Sequence, residues 1–216
     1  MTNIQSTHLD LSIPTSYSLE PCQTTTRGLL VLHGYSDLGR SVRKRLLGME
    51  PVPGYTVLVP NGIFPCPVEK EDGFKEAYSW YFKDPKTGIE MISPEFAAEA
   101  LLKLILKLKL EALEWTTLGF SQGGFFAPYL IHKGINSKRI ISVGAAYQSK
   151  SWQGLKNIRI DAIHGEQDEA VPYSIATSSF HELTKLGYTT QFHSISKLGH
   201  TLNEDGRKIV RQILSE

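Results

Sequence analysis

Only two cysteines, Cys22 and Cys66, occur in the 216 residues. That is too few for a disulfide framework and suits a reducing compartment. No apolar run is long enough to span a bilayer, which takes about 18 residues. The longest candidate, ALLKLILKLKLEAL at 100–113, is broken by three lysines. The opening MTNIQSTHLDLSIP has neither the basic start nor the apolar centre of a secretory signal, so the cytoplasm is the expected location. An excess of one charge is missing too. Lysine and arginine number 23 against 22 aspartates and glutamates, so the formal net charge is +1. A surface so balanced favours neither nucleic acid nor an anionic membrane, and no stable membrane insertion is expected. The densest basic stretch, GRSVRKR at 39–45, reads as a solvated helix face. Repeats, low-complexity segments and Pro/Gly/Ser-rich linkers are all absent. Residues 1–216 are therefore expected to form one domain, a monomer or a homodimer.

What is present is an alternation of short apolar runs and longer helical patterns. Strands are expected at 8–13, 27–35, 55–62, 115–120, 139–147, 159–166 and 189–196. Most are apolar throughout, as in strands covered on both faces of a mainly parallel sheet. Helices are expected at about 38–49, 94–113, 122–134, 172–186 and 204–214. The clearest begins with Ser93 as N-cap, Pro94 at the first helical position and Glu95 in the first turn. Glu99, Lys103, Lys107 and Glu111 then recur every four residues along one solvent stripe and leave the leucines to the core. Such alternation predicts an α/β fold, a three-layer sandwich around a central, mostly parallel sheet. Ligands and chemistry in these sheets sit at the carboxyl ends of the strands.

Ser121 falls at such an end. GFSQG, at 119–123, is a G-x-S-x-G between the apolar run Trp115–Phe120 and the helix-like GGFFAPYLIHKG. A nucleophile on so tight a turn is forced into a strained conformation, and its neighbours press against strand and helix. Gly119 and Gly123 have no side chain to clash there. Chance alone produces the pentapeptide about one time in ten in a chain of this length, so the motif needs partners. A serine nucleophile requires a base, and the base an orienting carboxylate.

Seven histidines are available. His8 and His193 lie in strand-like runs, and His132 and His181 in helix-like ones. His33 and His164 end strands and read as imidazoles satisfied by loop backbone. His200, in the glycine-flanked loop ISKLGHTLNEDG between the last strand and last helix, can reach over the sheet edge. IDAIHGEQDEAVP offers four acids. Asp161 sits at the wrong end of its strand, whereas Asp168 follows the strand by about two residues; the competing role for Asp168 is to cap the next helix. The chain order Ser121, Asp168, His200 is the order used by α/β-hydrolases. Donors for an oxyanion are then expected from the backbone N–H groups of Gln122 and of Tyr35, the latter in the loop LHGYSDLG.

These segments resemble the phospholipase/carboxylesterase family of α/β-hydrolases, which includes the acyl-protein thioesterases. The resemblance rests on LLVLHGYSDLG, VLVPNG, SWYF, LGFSQGG and HGEQDEAVP…LGH, spread over residues 27–205. It implies a catalytic Ser121–His200–Asp168 triad, with Tyr35 and Gln122 as oxyanion donors, acting on esters or thioesters without metal or cofactor. HGYSD departs from the smaller HGLGD-like loop common in the family, and the bulk of Tyr35 should narrow the site. Residues 63–93 lack periodicity and are expected to lie over the site as a lid or pocket wall. Trp80, Tyr81 and Phe82 are the expected apolar wall and Tyr35 further lining; ordinary core packing is the alternative for the aromatic trio. The expected activity is hydrolysis of small to medium carboxylic esters. The alternatives are a lysophospholipase or acyl-protein thioesterase taking longer chains, and a non-catalytic ligand-binding protein of the same fold. A histidine base stops working once protonated, so activity should fall below about pH 6–7.

Overall fold

The apolar runs of the sequence pair into a seven-stranded sheet. The computed structural model describes residues 12–84, 86–147 and 149–216. Its sheet consists of β1 (Tyr17–Glu20), β2 (Arg27–Leu32), β3 (Thr56–Pro60), β4 (Glu114–Phe120), β5 (Ser137–Val143), β6 (Arg159–Gly165) and β7 (Thr189–Ile195). Their spatial order is β1-β3-β2-β4-β5-β6-β7. β1 runs antiparallel to β3, and every other neighbouring pair is parallel.

Among the described residues five α-helices cover the sheet: α1 (Gly39–Leu47), α2 (Pro94–Lys107), α3 (Gln122–His132), α4 (Tyr173–Lys185) and α5 (Glu204–Ser215). Alternate residues of one strand meet different layers. Leu29 and Val31 of β2 pack with Val42 and Leu46 of α1 and Val210 and Ile213 of α5. Leu30 and Leu32 of the same strand pack with Leu101 and Ile105 of α2 and Phe126 of α3. On that second face Phe180 and Leu183 of α4 cover Ile140 and Ile160. Two-sided coverage is why these strands are continuously apolar. The result is the α/β-hydrolase sandwich.

Three expectations need correction. The first strand was expected at 8–13. Residues 8–11, with His8, lie outside the described residues, while Ser12 and Ile13 are not in a strand. The first strand of the described residues is Tyr17–Glu20, a four-residue edge segment between Pro14 and Pro21 whose half-exposed residues carry little pattern.

α2 stops at Lys107 rather than 113. Lys109 turns left-handed (φ 57°), Leu110 N–H donates to Ile105 O and Lys109 N–H to Leu106 O, both at 3.0 Å. This is a Schellman termination with lysine where glycine is usual. Glu111 therefore leaves the helical stripe, and the ion pair along it joins Glu99 to Lys103 at 2.7 Å.

The basic stretch at 39–45 is not simply a solvated face. Arg43 is buried, paired with Glu20 at 2.9 Å and donating to the carbonyls of Gly48 and Glu50. Arg45 lies over the Phe120 ring and pairs with Asp37 at 2.9 Å.

Candidate active site

The turn after β4 carries Ser121. Its φ of 49° and ψ of −117° lie outside the regions a non-glycine residue prefers. Such a conformation costs about 1–3 kcal/mol and persists only where the surroundings impose it. Here they do. Ser121 N–H donates to Val143 O at 2.8 Å, tying the turn to β5. A Cβ on Gly123 would stand 2.6 Å from Leu32 O. Glycine at that position lets α3 start in contact with β2. Ser121 is the N-cap of α3, so Gln122 is its first residue, with an N–H that has no intrahelical acceptor.

Asp168 and His200 come together. His200 Nδ1 and Asp168 Oδ2 are 2.7 Å apart, the carboxylate fully buried and the imidazole one-quarter exposed. Donation from Nδ1–H to the carboxylate leaves Nε2 of the neutral ring as the unprotonated nitrogen. The other carboxylate oxygen accepts from the N–H groups of Ala170 and Val171 at 3.0 and 2.8 Å. Asp168 does not cap α4, whose N-cap is Pro172. Phe120 packs against the His200 ring with centroids 4.9 Å apart. Gly144, left-handed at φ 61°, lies under the pair: a Cβ there would stand 3.2 Å from the imidazole. Sequence reasoning passed over this glycine. The sequence pattern puts it inside a strand at 139–147, whereas that strand ends at Val143; the available signal was a glycine within an apolar run, SVGAAY.

Two open cavities meet at Ser121. One, of about 570 Å³, is bordered by Ser121, His200, Gly34 and Tyr35. The other, of about 300 Å³, is bordered by Ser121, Gln122, Tyr35, Tyr81, Phe125 and Tyr129. Tyr35 is shared, and its exposed ring stands edge-on to Phe82 with centroids 6.1 Å apart.

Two of the three aromatics expected as the wall are placed differently. Trp80 is fully buried beneath the site, stacked on Phe126 and donating from Nε1 to His33 O at 2.8 Å. Phe82 packs edge-on against Phe64 and Tyr35 and borders neither cavity. Tyr81, the residue between them, faces the smaller cavity. In a short extended segment successive side chains alternate, so the middle of the aromatic trio points opposite to its neighbours.

Residues 63–93 form three two-stranded ladders: Phe64–Pro65 with Tyr78–Ser79, Val68–Lys70 with Gly73–Lys75, and Phe82–Lys83 with Glu90–Ile92. The Gln122 side chain fastens this segment to α3. Its Oε1 accepts from Trp80 N–H at 3.0 Å and its Nε2 donates to Tyr81 O at 2.9 Å. Only the Gln122 backbone had been singled out from sequence.

His33 supports the Tyr35 loop. It is fully buried, with Nδ1 2.7 Å from Gly34 O and Nε2 accepting from Gly62 N–H at 2.8 Å. That pattern fixes the neutral Nδ1–H tautomer. Burial pushes its pKa down to about 4, against a smaller upward pull from the Gly34 carbonyl and Asp37. The Gly34–Tyr35 peptide is planar, so anchoring the Gly34 carbonyl also sets the direction of Tyr35 N–H.

His164 is likewise buried and bound by backbone, its Nε2 2.8 Å from Val171 O and 3.4 Å from Asp168 Oδ2. Asp161 is buried at the opposite end of the sheet, paired with Arg139 at 2.6 Å. His193 is half-buried in β7, and burial lowers its pKa.

A central parallel sheet with a strained serine turn at a strand's carboxyl end defines an α/β-hydrolase. The match to Phospholipase/Carboxylesterase extends over residues 19–216, and the chain belongs to that family of hydrolases. Solved structures with this fold include esterase PE8, at 22% identity and TM-score 0.70, over 94% of this chain and 99% of that one. Acyl-protein thioesterase 2 of Zea mays is 19% identical with TM-score 0.68, over 94% and 98%. A carboxylesterase from Mesorhizobium loti is 22% identical with TM-score 0.68, over 88% and 89%. Among curated proteins no sequence matches significantly. No helix of the described residues is long and apolar enough to cross a membrane.

Proposed function

We propose that the protein is a serine carboxylesterase that hydrolyses small to medium carboxylic esters through an acyl-enzyme. The observation that carries this reading is the 2.7 Å His200–Asp168 contact at the rim of a cavity that Ser121 also borders. In the proposed reaction Ser121 Oγ attacks the acyl carbon while its proton passes to His200 Nε2. Asp168 holds the imidazole and offsets its positive charge. The tetrahedral oxyanion accepts from the N–H groups of Tyr35 and Gln122, each such donor contributing about 3 kcal/mol to the barrier reduction. The carbon–oxygen bond to the alcohol breaks, and the proton on His200 moves to the leaving alkoxide. Water then attacks the acyl-enzyme, giving its proton to His200, and Ser121 is released with the carboxylic acid.

The imidazole must reach the leaving oxygen, so the alcohol half occupies the larger cavity beside His200. The acyl half then occupies the 300 Å³ cavity walled by Tyr81, Phe125 and Tyr129, with Lys83 and Glu90 also on its border. Three hundred cubic ångströms is the lower end of small-molecule pockets, and charges on its wall disfavour a long alkyl chain. A series of p-nitrophenyl esters tests this. The expected kcat/KM peaks at short acyl chains, from about two to six carbons, in line with a pocket of that size. A clear optimum at twelve carbons or more would instead support the lysophospholipase or thioesterase reading.

A further inference from the structure

The larger cavity carries charges that the reaction at Ser121 does not use. Its outer wall is the hairpin Val68–Lys70 and Gly73–Lys75, in which Val68 pairs with Lys75 and Lys70 with Gly73. Side chains of directly paired and alternate residues share one face of a ladder. Val68, Lys70 and Lys75 are accordingly together on the face that borders the cavity. Glu69 and Phe74, the intervening pair, belong to the other face and border neither cavity at Ser121.

The other charges around this cavity are already engaged. Asp37 pairs with Arg45 at 2.9 Å. Glu76 accepts from the Tyr78 hydroxyl at 3.0 Å and lies 3.8 Å from Arg40. Among the described residues, neither the Lys70 nor the Lys75 ammonium group has a hydrogen-bond or ion-pair partner. Two ammonium groups without an ion-pair partner thus border the open cavity that holds His200; both lysines are exposed, and the acids Glu69, Glu71 and Asp72 of the same hairpin lie on its other face and at its turn. Lone lysines are ordinary on an open surface. Two on the inward face of one hairpin, beside the candidate base, give a ligand in this cavity a positive field.

We propose that Lys70 and Lys75 form a subsite for an anionic group on the alcohol half of the ester, a carboxylate or a phosphate. The inference rests on the esterase reading, because that reading assigns the alcohol half to the His200 side. Lysine ammonium groups act as mobile point charges, which suits an anion held at the end of a flexible alcohol. The acyl half remains small and uncharged, and the leaving alcohol carries the charge away with it.

The test compares two short-chain esters of nearly equal size and leaving-group character: 4-butyryloxybenzoate and the neutral 4-butyryloxybenzamide. A 4-butyryloxyphenyl phosphate arm separates the two sources of negative charge. At low ionic strength the wild-type enzyme is expected to favour at least one anionic ester by about three- to tenfold in kcat/KM, mainly through KM, the scale of partly exposed ion pairs. In the double variant Lys70→Gln, Lys75→Gln the ratio of anionic to neutral rates should fall to near one. In wild type it should shrink as salt rises to about 0.5 M, where screening is nearly complete. The ratio is measured within each protein, so partial misfolding of a variant does not affect it. If the neutral ester is hydrolysed and neither anion is preferred, or the preference survives the double substitution, the subsite is refuted and the esterase reading stands. If none of the esters is hydrolysed, both readings fall together.

Discussion

At the scale of single residues, the site depends on side chains held by groups that react with nothing. His33 is the clearest case. Each ring nitrogen meets backbone, at Gly34 O and Gly62 N, so only the neutral ring fits. Its folded pKa, pushed to about 4 by burial, lies below the ordinary imidazole value near 6.5. Below about pH 6.5 the unfolded chain therefore binds a proton that the folded protein refuses, and stability falls as pH drops toward 4. The sign is fixed: protonation destabilises. A gap of that size corresponds to roughly 3 kcal/mol between pH 7 and pH 4. Urea unfolding across that range should show wild type losing roughly 3 kcal/mol more than His33→Gln, which offers a donor and an acceptor but does not titrate. Parallel losses in the two proteins would show that His33 is not held neutral. In the chain Ser121 directly follows β4, while Asp168 and His200 lie three and five residues past the ends of β6 and β7, in loops whose position the strand pattern makes readable. Gln122 is harder to read, because its clamp on Trp80 and Tyr81 joins residues about forty positions apart.

At the scale of elements, periodicity predicts most strands and helices, and the misplaced element boundaries share one cause. Where an element is short, or ends on an unusual residue, side-chain pattern carries little information. The ladders within residues 63–93 have two or three residues per strand, fewer than one alternation needs to become visible. β1 has four. α2 ends on a left-handed Lys109, where sequence rules look for glycine. A non-glycine residue in that conformation costs about 1–2 kcal/mol, offset in part by the extra backbone entropy glycine loses on folding. Lys109→Gly should therefore stabilise the protein by about 0.5–1 kcal/mol, visible as a rise in the urea midpoint with an unchanged slope. A fall in the midpoint would mean that the lysine contributes more to the helix end than its backbone costs. The basic stretch of α1 was misjudged for another reason: burial of Arg43 and stacking of Arg45 depend on Glu20 and Phe120, which are distant in sequence.

At the scale of the whole molecule, the sheet order brings together three loops that are far apart in the chain. β4, β5, β6 and β7 are consecutive neighbours, so the turns after β4, β6 and β7 open on one edge and deliver Ser121, Asp168 and His200 to it. That convergence was legible from chain order and from the rule that chemistry gathers at carboxyl ends. That residues 63–93 wall the site was also expected; the division into two cavities was not, because which side chains of that segment face each one depends on its short ladders. Their walls differ: aromatic with Lys83 and Glu90 around one, and Lys70, Lys75, Arg45, Asp37 and Glu76 around the other.

The central claim is that this edge makes the Ser121 hydroxyl nucleophilic. Its most direct test is intact-protein mass spectrometry after exposure to a fluorophosphonate, with the adduct mapped by peptide sequencing. The account predicts one adduct per chain, on Ser121, absent from Ser121→Ala and slowed by at least about a thousandfold in His200→Ala, as when one member of such a unit is removed. A folded protein that stays unmodified, or one labelled equally fast without His200, would contradict it.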